Sequence, residues 1–183
     1  MSRIGRLPVK IPAGVTITTS NEGVTVKGPL GTLSQEVNKL VTIAVKDGHV
    51  VLTRSDEEKS TKALHGLYRA LIANMVHGVT QGYSKNLVIA GVGIKVAING
   101  GKLVMSIGFS HTVEFEQPKG LTFEVVTATP NQVELAVKGI DKEAVGQMAA
   151  SIKAVKKVEP YHGYGIRYKD EIVVRKEGKT AGK

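Results

Sequence analysis

The chain has 183 residues, with 25 Lys+Arg against 16 Asp+Glu, a formal net charge of +9 and a pI near 9.7. A hydrophobic content of 42% excludes wholesale disorder, and the length is that of one or two ordinary domains. The absence of cysteine excludes disulfides, thiolate metal sites and cysteine nucleophiles, and it favours a reducing cytosol. We expect neither a membrane span nor a signal peptide, because no apolar run of suitable length occurs.

The net charge is concentrated at the two ends of the chain. Residues 1–10 carry Arg3, Arg6 and Lys10 without an acid, and residues 153–183 carry nine bases against four acids. The stretch between them is nearly neutral. Clustered cations favour docking on a polyanion, since they release counterions and attract it over a long range. The alternative is a solvated tail with surplus lysines.

Hydrophobic patterning predicts strands and one helix in the first half. Alternation of apolar and polar residues predicts strands over 15–18 and 23–28, with a turn at 28–31. Two further strands, 41–45 and 50–53, meet at Asp47-Gly48, a pair that tolerates the positive φ of a tight hairpin. A capping box at Ser55 and Glu58 predicts a helix that ends at Gly78. Its expected apolar face consists of Leu64, Leu67, Leu71 and Met75.

The second half repeats this order. A strand run over 87–98 leads to the hairpin signal Asn99-Gly100-Gly101 and a return over 102–108. Strands over 121–126 and 133–137 follow. A helix capped by Asp141 and closed by Pro160 then has the apolar face Val145, Met148, Ile152 and Val155.

The two helices align at an offset of 81 residues, and the hairpins before them at 83. Chance similarity of two amphipathic patterns is the alternative to a repeat. We predict an α+β fold of two tandem copies, each a small antiparallel or mixed sheet packed on one helix. The expected domains are residues 1–82 with the basic N-terminal arm, residues 83–169 as the second repeat, and the basic tail 170–183.

No catalytic constellation is apparent. The chain lacks a G-x-x-x-x-G-K-[ST] phosphate loop and an H-E-x-x-H metal helix. Gly91-Val92-Gly93 lacks the third glycine of a dinucleotide site and predicts a bulge or a close backbone approach. Ser110 and His111 lack the second glycine of a nucleophile elbow, and the histidines fall in no metal-ligand spacing. We expect no enzymatic activity, no cofactor and no metal.

A basic, aromatic and glycine-rich segment follows the second helix, between Pro160 and Lys169. Gly163 and Gly165 allow close approach of the backbone to a ligand, and the Arg167 guanidinium matches phosphate with two parallel hydrogen bonds. Aromatic rings stack on unpaired bases or pack along ribose. This combination indicates RNA binding. The alternative is that its tyrosines, Tyr161, Tyr164 and Tyr168, complete the hydrophobic core of the second unit.

Motifs along essentially the whole chain, in order, resemble those of the bacterial large-subunit ribosomal protein six family. They are Met1–Gly5, Val26–Gly31, Leu64–Gly66, Gly78–Tyr83, Gly91–Gly93, Gly108–His111, Lys138–Lys142 and Pro160–Tyr168. The resemblance implies two tandem sheet-and-helix units without enzymatic activity, in the cytoplasmic ribosome. It also implies that the second unit and tail bind 23S rRNA near its 3′ domain, close to the factor-binding site and stalk base and beside neighbouring ribosomal proteins.

Three positions depart from the pattern of that family. His162 and Tyr164 stand where the family usually has lysines, and Thr112 stands where it often has proline. The two missing charges leave more of the phosphate binding to Arg167, Lys169 and the lysines upstream. His162 can donate one hydrogen bond, and the Tyr164 ring can stack or pack on ribose.

We expect these residue types to divide the RNA contacts. Side chains with a permanent charge are expected to bind phosphates: Lys153, Lys156, Lys157, Arg167, Lys169 and Arg175. Tyr161, Tyr164 and Tyr168 are expected to pack or stack, with His162, Gly163 and Gly165 beside them. Secondary contacts are expected from Lys95, Ser110, His111 and, in the N-terminal arm, Arg3. Two other classes stay open: a small cytosolic enzyme whose basic ends steer an acidic metabolite, and a general DNA-binding or membrane-surface protein.

Overall fold

The computed structural model of the chain describes residues 4–20 and 23–179. The chain divides into two compact units. The first runs to Tyr83 and includes Ile140–Lys142, and the second comprises Ser84–Gly139 and the described residues from Glu143 onward. Two helices and several small antiparallel sheets make up the described residues, so the predicted α+β fold of tandem sheet-and-helix units is confirmed.

The first half contains six strands and one helix. They are β1 (Val9–Lys10), β2 (Thr16–Thr19), β3 (Gly23–Gly28), β4 (Gly31–Glu36), β5 (Val41–Lys46), β6 (His49–Arg54) and α1 (Lys59–Thr80). Strands β2, β3 and β4 form one antiparallel sheet, and β1, β6 and β5 form another in that order. The predicted hairpin at Asp47-Gly48 is confirmed, with φ of 48° and 71° at its two residues.

Alternate residues of these strands bury their side chains against α1. Val24 and Val26 of β3 are buried, as is Val50 of β6, and they join Ile72 and Val79 of the helix in one core cluster. Burial of a branched aliphatic side chain contributes about 1.5–3 kcal/mol, so this cluster is the main source of stability in the first unit. The neighbouring strand positions are exposed or only partly buried.

The predicted capping box of α1 is wrong. The helix begins at Lys59, four residues after Ser55, and its N-cap residue Glu58 makes no side-chain capping hydrogen bond. The Asp56 carboxylate instead accepts hydrogen bonds from the Ser55 hydroxyl at 3.2 Å and the Glu58 N–H at 2.9 Å. These hydrogen bonds hold the Ser55 hydroxyl and the Glu58 N–H in a local turn, so the helix begins further along the chain than predicted.

The buried face of α1 is also rotated from the predicted one. Leu67 is 50% exposed, whereas His65 and Ile72 are buried. The His65 Nε2 donates a hydrogen bond to the Leu52 carbonyl at 3.1 Å, while its buried Nδ1 has no hydrogen-bond partner among the described residues. The helix carries apolar residues on more than one side, and periodicity did not reveal that the side with the histidine faces the core. The buried residues are Thr61, His65, Ile72, Met75, Val76, Gly78 and Val79.

Gly78 does not end α1, contrary to the prediction. The helix continues to Thr80, and Gly82, with a φ of 75°, follows its C-cap Gln81. Gly78 is buried, and the carbonyl of Ile140, a residue of the same unit, occupies the space that a Cβ would need. The glycine is therefore required for a close approach of backbone within a helix.

The second half contains seven strands and one helix. They are β7 (Tyr83–Ala90), β8 (Lys95–Asn99), β9 (Lys102–Ser106), β10 (Val113–Glu116), β11 (Leu121–Thr129), β12 (Gln132–Gly139), α2 (Lys142–Val155) and β13 (Gly165–Tyr168). One sheet has the order β10-β9-β8 and the other β11-β12-β7-β13. No helix among residues 4–20 and 23–179 is long and apolar enough to cross a membrane.

The predicted single strand over 87–98 is wrong. It breaks after Ala90, and β7 and β8 lie in different sheets. Gly93 has a φ of 67°, so Gly91-Val92-Gly93 forms a turn between sheets and not a bulge within one. The predicted hairpin at Asn99-Gly100-Gly101 is confirmed, since both glycines have positive φ and β8 pairs antiparallel with β9.

Helix α2 is shorter than predicted. It ends at Val155, five residues before Pro160, so Lys156 and Lys157 follow the helix and do not lie on its last turns. Val145 and Ile152 of the predicted face are buried, together with Ala149. Met148 and Val155 are only partly buried.

Two glycines inside helices offer a matched test of this packing. Gly78→Ala places a methyl group against the Ile140 carbonyl, while the same change at Gly146 in α2 meets open space. Alanine favours a helix by up to about 1 kcal/mol over glycine, whereas forcing a methyl into packed structure costs about 1–3 kcal/mol. We expect scanning calorimetry to show a lower unfolding midpoint for Gly78→Ala and an equal or higher one for Gly146→Ala. Shifts in the same direction would contradict this account.

Candidate nucleic-acid interface

Strand β13 positions the second half of the basic and aromatic segment. It pairs antiparallel with β7, with Arg167 opposite Val88 and Tyr168 opposite Leu87. Neighbouring strand residues point to opposite faces, so the fully buried Ile166 shares its face with Tyr168, and Arg167 lies on the other. A Cβ on Gly165 would lie 2.7 Å from the Lys157 carbonyl, so this glycine serves packing within the chain.

The loop that leads into β13 is closed by Glu159. Its carboxylate accepts a hydrogen bond from the His162 N–H at 3.0 Å and lies 3.2 Å from His162 Nδ1. Its own N–H donates to the Tyr164 carbonyl at 2.8 Å, and the Gly163 N–H donates to the Glu159 carbonyl at 3.0 Å. The hydrogen bond from the His162 backbone, followed by that from the His162 ring, lowers the pKa of Glu159. The loop is thus fixed before any ligand binds.

A groove of about 430 Å³ joins this loop to β13 and the C-terminal segment. Two guanidinium groups line it, those of Arg167 and Arg175. The Arg175 group lies over Gly163, where a Cβ would be 3.2 Å from its Nη2. At the same groove the rings of His162 and Tyr164 stack, with centroids 5.4 Å apart and planes 15° apart. The groove therefore combines two guanidinium groups with a flat aromatic surface. Glu171 also lines it, and its backbone carbonyl accepts a hydrogen bond from Arg167 Nη1 at 3.4 Å.

Glu171 organises a second cluster at the edge of β13. Its carboxylate accepts hydrogen bonds from Lys153 Nζ at 2.6 Å and from the Tyr168 N–H at 3.1 Å. Lys153 Nζ also lies 4.6 Å from the centroid of the Tyr168 ring, and Lys85 Nζ lies 5.5 Å from it. The lysine hydrogen bond, then that of the backbone, lowers the pKa of Glu171. Lys85 was not predicted, since nothing local in the sequence connects it to Tyr168.

A third cluster surrounds the turn between β9 and β10. Lys156 Nζ donates a hydrogen bond to the Ile107 carbonyl and lies 5.6 Å from the centroid of the Phe109 ring. That ring stacks on His111 with centroids 5.7 Å apart, and the intervening Ser110 is exposed. Phe109 is 42% exposed and was missed as a site residue. Its position next to Ser110-His111, in the turn that begins after Gly108, is the sequence feature that could have identified it.

The remaining predicted residues are dispersed. Lys169 forms an ion pair with Glu134 at 2.7 Å. Lys157 and Tyr161 are exposed, and Lys95 is the exposed first residue of β8. Arg3 lies outside the described residues. The groove thus unites five predicted residues, His162, Gly163, Tyr164, Arg167 and Arg175, while Lys153, Lys156 and Lys169 already have acceptors within the protein.

The chemistry available at these clusters is recognition of anions and rings. Among the described residues, no group of three or more His, Asp or Glu side chains is placed to hold a metal ion. The groove offers arginine forks for phosphate oxygens, and the stacked ring pairs offer surfaces for bases or ribose.

Comparison with known proteins gives a consistent family. The model of the family described as "Ribosomal protein L6" matches residues 11–82 and again residues 90–169. The chain is 55% identical over 184 residues to "Large ribosomal subunit protein uL6" of Clostridium kluyveri, with all of both chains covered. It is 51% identical over 181 residues to the protein of that name from Alkaliphilus metalliredigens, with 98% of this chain and 99% of the relative covered.

The Lys153–Glu171 ion pair predicts how the stability of the fold changes with pH. A carboxylate whose pKa is lowered in the folded state stabilises the fold above its ordinary pKa, and this contribution is lost as the pH falls through the lowered value. We expect carboxyl NMR titration to show the pKa of Glu171 rise in Lys153→Met. Between about pH 6 and about pH 3, the thermal unfolding midpoint of that variant should fall by less than the midpoint of the unsubstituted protein.

Lys138→Met removes a lysine that is more exposed than Lys153 from its ion pair with Glu124 and serves as the control. It should leave the pKa of Glu171 unchanged. An unaltered Glu171 titration in Lys153→Met would show that this ion pair does not form.

Proposed function

Because the chain belongs to the ribosomal protein L6 family, we propose that it binds 23S rRNA through the groove that contains Arg167 and Arg175. As a member of this family it is a structural constituent of the large subunit of the bacterial cytoplasmic ribosome, and it is not an enzyme. The observation that carries the proposal is the convergence of two guanidinium groups and a stacked ring pair in one groove.

The groove contributes to binding through two kinds of contact. Each guanidinium presents parallel N–H donors to phosphate oxygens, and such charge-assisted bonds are about twice as strong as neutral ones. The His162–Tyr164 pair presents a flat surface to an unpaired base or a ribose. Because Glu159 already binds His162, this histidine acts through its ring and not as a replacement for the charge of a lysine.

The lysines around the groove are held in place before RNA binds. Lys153 is paired with Glu171, Lys169 with Glu134, and Lys156 with a backbone carbonyl. These contacts fix the ammonium groups, so less side-chain entropy is lost when a phosphate approaches. The two acids partly neutralise the positive charge of Lys153 and Lys169. Arg167 donates from Nη1 to the Glu171 carbonyl at 3.4 Å and keeps its other N–H donors. We therefore assign the first phosphate contacts to Arg167, Arg175 and the exposed Lys157.

The proposed position on the ribosome is near the 3′ domain of 23S rRNA, beside the factor-binding site and the base of the stalk. Its support is the resemblance of the motifs along the chain, above all Pro160–Tyr168, to those of the family. Neighbouring large-subunit proteins at the stalk base are the protein partners that this position implies.

Groove variants test the binding proposal. In filter-binding titrations with transcribed 23S rRNA, we expect Arg167→Gln/Arg175→Gln to weaken binding at least about tenfold, because a hydrogen bond to a charged group contributes about 1.5–3 kcal/mol. The slope of log affinity against log salt should fall by about one for each phosphate that the variant no longer neutralises.

The control is Lys102→Gln/Lys138→Gln, which removes the same charge from lysines paired with Glu116 and Glu124. It should change affinity and slope much less. Equal losses in the two double variants would refute a specific role for the groove.

A tethered cleavage reagent tests the position. The chain has no cysteine, so Tyr161→Cys introduces a single attachment point for an iron chelate at an exposed residue beside the groove. In large subunits reconstituted with this variant, we expect backbone cleavage of 23S rRNA within its 3′ domain. A chelate on Lys39→Cys of the first unit supplies the comparison pattern. Cleavage confined to other domains would reject the proposed position.

A further inference from the structure

The outer face of the β1-β6-β5 sheet carries three basic residues directly beside one another. In the strand register, His49 of β6 lies opposite Lys10 of β1 on one side and opposite Lys46 of β5 on the other. Directly opposed residues have Cβ atoms about 4.5–5.5 Å apart on the same face of a sheet. We call these three residues the basic row.

The basic row points away from the core of the first unit. Its neighbours in the register, Val9 and Val50, are buried in the cluster with α1, and strand alternation places the row on the opposite face. Lys10 and Lys46 are exposed, and His49 is partly so. The His49 Nδ1 donates to the Asp47 carbonyl at 2.9 Å, which holds the ring at the hairpin turn.

No acid neutralises the row within the described parts of the chain. Neither Lys10 nor Lys46 takes part in an ion pair there. On the same face, β5 and β6 continue with Thr42 opposite Thr53 and with uncharged residues between them and the row. The face therefore lacks a carboxylate along both strands.

This arrangement differs from the other basic strand positions. Lys102 and Lys138 each pair with a glutamate on a neighbouring strand. Lys27 is outside any described ion pair, but its neighbours in the register are Thr16 and Thr32. Lys10 and Lys46 lie about 10 Å apart, one strand on either side of His49, so a polyanion that crosses the row meets both cations.

We infer that the basic row is a second RNA-backbone contact, in which Lys10 and Lys46 bind phosphates on either side of His49. The inference rests on the proposed function, since it assigns the first unit a contact with the same 23S rRNA. A phosphodiester backbone fits better than an acidic protein. On the same face, Ala44 opposite Val51 and then Thr42 opposite Thr53 lie beside the row, and this surface lacks the aromatic anchors on which protein interfaces depend.

Charge reversal at matched sites tests the row. Lys10→Glu/Lys46→Glu is compared with Lys27→Glu/Lys39→Glu, which changes the net charge equally at exposed residues of the same unit. In filter-binding titrations of the full chain with transcribed 23S rRNA, we expect the row variant to bind more weakly than the control. Its salt slope should be about 1.5–2 units smaller in magnitude, as expected when two phosphates are no longer neutralised. Lys10→Gln/Lys46→Gln should also weaken binding. It replaces the charge-reversal variant if that variant fails to fold.

Equal affinity and slope in the row variant and its control would overturn the inference. If the Arg167→Gln/Arg175→Gln variant still loses binding in that case, the proposed function stands and only the row is rejected. If the unsubstituted chain shows no salt-dependent binding of 23S rRNA, both fall. An iron chelate on His49→Cys gives an independent reading: cleavage of 23S rRNA in reconstituted subunits supports the contact, and absence of cleavage rejects it.

Discussion

The antiparallel pairing of β13 with β7 is the interaction on which the candidate interface depends. Four residues of β13 take their register from β7, and this pairing buries Ile166 completely. Strand alternation then directs Arg167 and Tyr168 to opposite faces, so one short strand supplies two separate clusters. Beyond it, the Lys176 N–H donates to the Pro160 carbonyl at 3.0 Å, which returns the chain beside the loop and brings Arg175 to the groove.

Acidic residues fix the positions of the loop and of the lysine side chains at this interface. Glu159 closes the loop, Glu171 holds Lys153 against Tyr168, and Glu134 holds Lys169. Exposed ion pairs contribute at most about 1 kcal/mol, so their value here is chiefly geometric. They order long side chains in the free protein and thereby reduce the entropy that binding would otherwise cost.

Features set by local backbone chemistry could be predicted from the sequence, and features set by distant partners could not. The hairpins at Asp47-Gly48 and Asn99-Gly100-Gly101 follow from residues that accept positive φ. Strand β13 was not predicted because its strand character comes from pairing with β7. Likewise, the composition of 160–169 indicated anion and ring recognition, but which cations are already paired depends on Glu134 and Glu171, which the fold brings to them.

Near each end of the chain, one of the cations proposed to bind RNA is held in ordered structure. Lys10 lies in β1, in register with His49, and Arg175 lies over Gly163 in the groove. A cation on a free tail loses conformational entropy when it binds. These two cations are already positioned, so their binding to a polyanion costs less entropy. Each fixed cation that neutralises a phosphate also releases counterions that the phosphate had held, and this release adds a favourable entropy to the bound state.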